Sequence, residues 1–171
     1  MNLKNNENLI LVIGKTEGHI DQSVFAINIL NEKKGPPPEI NLLNEKNNGE
    51  TILKLIRNDL VKSVHDISLG GIITAISKMA IIGNKGFKLN KPQDLINKFE
   101  YYFGEDQGRY IAEIEPNNLP KVKNILKDNS IHYDEIGIVI PKEIIIDKET
   151  ILHIDDLVRS NKSWLKSYME K

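Results

Sequence analysis

Five consecutive apolar residues, Leu9-Ile10-Leu11-Val12-Ile13, closed by Gly14, form the pattern of a strand buried on both faces. The spacing then changes. Val24, Ile27 and Leu30 fall on one helical face within 23–30, and Lys33-Lys34-Gly35-Pro36-Pro37-Pro38 ends that helix in a stiff, extended connector. A second helix is predicted over 39–60, with Ile52, Leu53 and Ile56 at core spacing and an irregularity at Asn47-Asn48-Gly49. Residues 61–64 supply the next strand and 71–82 a helix whose Ile72, Ile76, Met79 and Ala80 make an apolar stripe. Gly83-Asn84-Lys85-Gly86 breaks that stripe. Beyond it, 87–89 reads as a short strand, 92–98 as a short helix and 110–114 as an alternating strand. Residues 119–126 form a helix, 136–140 and 143–146 are strands whose closeness around Pro141 suggests a hairpin, and 154–169 is a closing amphipathic helix with the single Trp164.

The resulting order, βααβαβαβαββα, intersperses strands and helices throughout and predicts one mixed β-sheet covered by helices, an α/β sandwich. A length of 171 residues suits a single domain over 1–171, with the polar residues 1–8 expected to be flexible. With 23 Lys+Arg against 24 Asp+Glu the formal net charge is −1, so no global field draws the chain to nucleic acid or an anionic membrane. No apolar run approaches the roughly 20 residues that span a bilayer. The absence of cysteine excludes disulfides and thiolate metal sites, and makes a cytoplasmic location the expectation.

Candidate chemistry concentrates in two places. Val64-His65-Asp66-Ile67-Ser68-Leu69-Gly70-Gly71-Ile72 runs from a strand into a helix, and its unpaired N–H groups at the positive end of the helix dipole suit a phosphate. The plain alternative is that Ser68 is an N-cap and the glycines make a tight turn. Gly104-Glu105-Asp106-Gln107-Gly108-Arg109 combines a cation, two carboxylates and an amide. An Arg can clamp phosphate, a carboxylate can hold Mg²⁺, and Gln can read a base. Here the alternative is an internal ion pair of Arg109 with Glu105 or Asp106. His65-Asp66 follows a strand and serves either as structure or as a base. No zinc-type spacing, P-loop, Gly-x-Ser-x-Gly elbow or Gly-x-Gly-x-x-Gly fingerprint occurs.

Taken together, Gly14-Lys15-Thr16-Glu17-Gly18-His19-Ile20-Asp21-Gln22-Ser23, Gly35-Pro36-Pro37-Pro38, Asn48-Gly49, His65-Asp66-Ile67-Ser68-Leu69-Gly70-Gly71 and Phe103-Gly104-Glu105-Asp106-Gln107-Gly108-Arg109 follow one family in order and spacing. Nearly the whole chain resembles the C-terminal domain of the phosphoribosylformylglycinamidine synthases, within the aminoimidazole ribonucleotide synthetase superfamily. The resemblance implies that superfamily's C-terminal-domain fold and a part in de novo purine biosynthesis, the ATP-dependent amidation of formylglycinamide ribonucleotide with glutamine-derived ammonia. It implies ATP or ADP and Mg²⁺ in the assembled enzyme, with the remaining synthase domains and a glutamine amidotransferase subunit as partners. It further implies that catalytic and metal-binding residues lie in other domains, so the isolated chain is expected to be inactive. The nucleotide or phosphate contacts are placed at Ser68, Gly70, Gly71, Glu105, Gln107 and Arg109, with His65 and Asp66 behind them. Two departures stand out: Leu69 replaces a usual Asp, and Asp21 stands where relatives tend to have Gly. The competing readings are a non-catalytic module that self-associates through its sheet or closing helix, and a domain of another superfamily branch.

Overall fold

A computed structural model of the chain describes residues 1–92 and 96–170. Among these, seven strands form a single sheet in the order β2-β4-β1-β5-β3-β6-β7, with β1 Leu9–Ile13, β2 Ser63–Ile67, β3 Gly86–Leu89, β4 Arg109–Ile114, β5 Tyr133–Ile140, β6 Glu143–Ile146 and β7 Thr150–His153. The apolar run of β1 lies near the centre, antiparallel to both β4 and β5. Alternation along the strands sends Ile10, Val12 and Ile111 to one face and Leu11, Ile13 and Ala112 to the other. Helices α2 (Gly71–Gly83), α3 (Lys98–Phe103) and α5 (Ile154–Met169) cover the first face, and α1 (Leu42–Arg57) and α4 (Leu119–Asp128) the second.

The sheet is mixed, as the sequence predicts, but its hairpin lies elsewhere. β5 and β6 do not pair, because β3 lies between them, antiparallel to β5 and parallel to β6. Gly86 makes this insertion feasible: a Cβ there would lie 2.0 Å from the Glu143 carbonyl oxygen. The true hairpin joins β6 to β7, a strand the hydropathy pattern did not announce. It turns through the three residues 147–149, with Asp147 and Lys148 both in the left-handed conformation.

Three further expectations change. The helix expected over 23–30 is a short π-helical turn, Ala26–Leu30, in which Ala26 is buried while Val24 and Leu30 are exposed. Its seating comes from Phe25, whose ring stacks on Phe99 and Phe103. Helix α1 runs unbroken through Asn47-Asn48-Gly49 and buries Asn48, Thr51, Ile52 and Leu55, leaving Leu53 and Ile56 half exposed. Asn48 faces inward because its amide donates to the Gly108 carbonyl at 2.8 Å. The first eight residues are tied down: Leu3 is 1% exposed, and the N–H groups of Lys4 and Asn5 donate to the buried Glu113 carboxylate. The predicted helix over 92–98 falls partly outside the described residues, and α3 begins at Lys98, where the Asn97 side chain accepts from the N–H groups of Phe99 and Glu100.

Helix α2 agrees with its sequence pattern. Ile72, Ile76, Met79 and Ala80 are fully buried. By contrast, α5 docks through Ile154, Leu157 and Val158, while Trp164, Leu165, Tyr168 and Met169 continue the stripe into solvent.

Candidate functional site

The loop 104–109 enters β4 beside the end of β2 and the start of α2, so the two chemistry-rich segments of the sequence meet. Their polar groups are turned largely on each other. Arg109 is 1% exposed. Its Nε donates to the Asp106 carbonyl at 3.1 Å, Nη1 to Thr16 Oγ1 at 3.1 Å and Nη2 to the Gly104 carbonyl at 2.7 Å. The Asp106 carboxylate lies 3.5 Å from Nη1. Burial pulls the Arg109 guanidinium below its ordinary pKa, and the Asp106 charge opposes that shift. In this geometry Arg109 organises the loop from inside rather than presenting its fork to a ligand, the internal pairing that the sequence left open.

The two carboxylates of the loop are also committed. Asp106 accepts from the backbone N–H groups of Glu17, Gly18 and His19 at 3.0–3.2 Å. Glu105 Oε1 accepts from Gly70 N and Val24 N, both at 2.8 Å. Gly70, not Ser68, is the N-cap of α2, with φ +80°. The Gly71 N–H donates to the Ser68 carbonyl at 3.0 Å, so the two glycines close a tight turn. Gly71 also has φ +67°, and a Cβ there would lie 2.7 Å from the carbonyl oxygens of Gly104 and Tyr102.

Asp66, Ser68, Leu69 and Gln107 are the exposed residues of this region, and Leu69, 67% exposed, offers only an alkyl chain. His65 and Asp66 lie within β2, not after it. His65 Nδ1 is 2.6 Å from the Asp66 carbonyl oxygen and 3.2 Å from its carboxylate. The donor set does not fit a divalent cation, since Glu105 and Asp106 already hold N–H groups. Among the described residues no three His, Asp or Glu side chains converge as metal ligands.

Beside the loop opens a cleft of about 680 Å³, walled by Lys15, by residues 17–21, by Pro38 and Glu39, by the first turns of α1 and by 106–108. His19 Nε2 lies 2.9 Å from the Pro36 carbonyl oxygen and the Gln22 amide donates to that of Gly35, which ties the proline connector beside this space. Lys15 pairs with Glu17 at 2.6 Å, which leaves Asp21, Glu39 and Glu45 to give the cleft an acidic wall. Such a wall receives amide, hydroxyl or cationic groups better than phosphate. The sequence reading did not single out this cleft. A signal existed in Asn41, Asn44, Glu45 and Asn48, which recur at helical spacing as a polar stripe where a core stripe was sought.

Residues 5–148 match the protein family described as AIR synthase related protein, C-terminal domain. The chain belongs to this family. It is 62% identical over 170 residues to the phosphoribosylformylglycinamidine synthase subunit PurL of Pelagibacter ubique, an alignment that takes in 99% of the chain and 23% of that relative. The PurL subunit of Nitrobacter hamburgensis is 36% identical over 160 residues, 94% of the chain and 22% of the relative. The chain therefore spans under a quarter of the curated relatives it matches. Among solved structures, Thermotoga maritima PurL complexed with FGAR superposes with a TM-score of 0.74 at 17% identity, over 92% of this chain and 29% of that one. The T. maritima PurL complex with ATP gives 0.69 at 16% identity, covering 92% and 26%. These structures establish the family's C-terminal fold for this chain, with its mixed sheet between helices.

Proposed function

We propose that this chain is a C-terminal-type domain of a phosphoribosylformylglycinamidine synthase. It serves de novo purine biosynthesis as part of a cytoplasmic enzyme that amidates formylglycinamide ribonucleotide at the expense of ATP. The observation that carries this reading is the 62% identity to a PurL subunit across 99% of the chain. The chemistry of the residues is consistent with a supporting rather than a catalytic part. The loop carboxylates and Arg109 are consumed internally, and His65 is engaged with its neighbour Asp66. ATP or ADP, which T. maritima PurL structures hold, and Mg²⁺ are then bound mainly by other domains. A multi-subunit assembly is known for T. maritima as PurLQS, and the partners proposed here are the remaining synthase domains and a glutamine amidotransferase subunit.

Within the domain, Ser68 and Gln107, both exposed, are the polar side chains proposed to touch a nucleotide, while Gly70, Gly71, Glu105 and Arg109 set the shape of the wall behind them. His65 and Asp66 stiffen the end of β2. No helix among the described residues is long and apolar enough to cross a membrane. The test is a graft: this chain replaces the corresponding segment of P. ubique PurL, and amidation is measured with formylglycinamide ribonucleotide, ATP and ammonia. The graft is expected to keep turnover within roughly tenfold of the parent, a change of about 1.4 kcal/mol in barrier, and the isolated chain to show none. A folded but inert graft, or turnover by the isolated chain, would overturn the reading.

A further inference from the structure

One of the N–H groups that make the α2 turn look like a phosphate cradle, that of Gly70, already holds an anion of the chain's own. We propose that the Glu105 carboxylate is a resident anion that closes the N-terminus of α2 to external phosphate and, through the same oxygen, latches the segment around Val24 to that helix. The inference rests on the reading that a phosphate-bearing ligand meets this domain, and it concerns how that site is controlled.

Oε1 of Glu105 receives Gly70 N from the helix turn and Val24 N from a segment 46 residues earlier in the chain, each at 2.8 Å. Hydrogen bonds to an ionised acceptor are about twice as strong as neutral ones, and the positive end of the α2 dipole adds to them. The residue is also fixed through its backbone, since Glu105 N donates to the His19 carbonyl at 2.8 Å. Next to it, Asp106 takes three more N–H groups from 17–19. Two consecutive carboxylates thus satisfy five backbone donors, one of which, the Gly70 N–H, belongs to the turn that the sequence offers to a phosphate. A phosphate can reach Gly70 only by displacing Glu105, which frees Val24 at the same time. Phosphate at the Gly70 N–H and the Glu105–Val24 hydrogen bond therefore compete, while Phe25 keeps its own seat on Phe99 and Phe103.

The experiment uses the ¹⁵N-labelled chain, titrated with inorganic phosphate to millimolar concentration while the Gly70 and Val24 amide resonances are followed, in wild type, Glu105→Ala and Glu105→Gln. In wild type neither resonance is expected to move saturably. In Glu105→Ala both should start from shifted positions, and Gly70 should respond saturably with affinity at least roughly tenfold above any wild-type response, the scale of losing one charge-assisted competitor. Glu105→Gln keeps a neutral acceptor and should respond to an intermediate degree, and it decides the matter if Glu105→Ala does not fold. A saturable Gly70 response in wild type would overturn the proposal, as would its absence in a folded variant. Neither result touches the graft experiment, which reads synthase activity.

Discussion

Strand β4 carries a wholly buried charge at each end of one face, and the two are held in opposite ways. Arg109 opens the strand with a carboxylate partner, Asp106, and two backbone carbonyls. Glu113 lies four residues on, at 0% exposure. Lys4 N, Asn5 N, the Asn8 amide and Ser63 Oγ bond it, and among the described ion pairs no cation faces it. The cation end gathers the carbonyl oxygens of a loop and the anion end gathers the N–H groups of the N-terminal segment. Each buried charge satisfies irregular backbone that no strand or helix could, which is the condition for placing such backbone inside a fold. The difference is that the Arg109 end adjoins the candidate site and fixes its walls, whereas the Glu113 end only anchors the terminus.

The comparison breaks most easily at the cation. Arg109→Met should lower stability by about 3–5 kcal/mol, because it leaves Asp106 buried without its counter-charge. Urea denaturation checks this, and a loss no larger than that of an ordinary surface change would mean Asp106 is solvated. Gly71→Val strikes the same end from the helix side, since its Cβ would meet the Gly104 oxygen that Arg109 binds. A loss of about 3 kcal/mol is expected from strain and clash together, and it should appear as a lowered melting temperature. At the other end, Glu113→Gln keeps the shape but turns donors toward donors, for about 1–3 kcal/mol. Its distinctive sign is faster proteolysis within residues 1–8 with the 104–109 loop unaffected. Combining Arg109→Met with Glu113→Gln should show coupling below about 0.5 kcal/mol, since four strand residues put the sites roughly 13 Å apart. A larger coupling would mean the two ends form one network.

Elements whose apolar pattern matched one period were legible before the structure. β1, α2 and α4 stand where hydropathy places them, because burial alone decides them. Where a polar contact decides, the pattern misleads. In α1 the inward face is chosen by Asn48 reaching Gly108, so Leu53 and Ile56 point outward. The hairpin expected around Pro141 failed because pairing depends on which strand arrives between neighbours, and no local signal reports that β3 does. At the candidate site, the family resemblance grouped the 64–72 and 104–109 segments, and the structure shows them in contact. It did not reveal the direction of their polar groups, since a carboxylate beside a glycine turn serves a ligand or its own backbone with the same composition.

The order β5-β3-β6 also bears on how the molecule opens. β6, β7 and α5 are contiguous in the chain and join the sheet through the parallel β3–β6 ladder, at the edge farthest from β2. Every residue of β7 is exposed, and α5 buries only its first turns. Rooted in the core only by Ile144, Ile154 and the partly buried Ile146, Leu157 and Val158, this terminal part of the sheet is expected to open as one unit while β2, β4, β1 and β5 stay paired. Its amides should then exchange with solvent deuterium earlier and together, a sub-global opening distinct from complete unfolding.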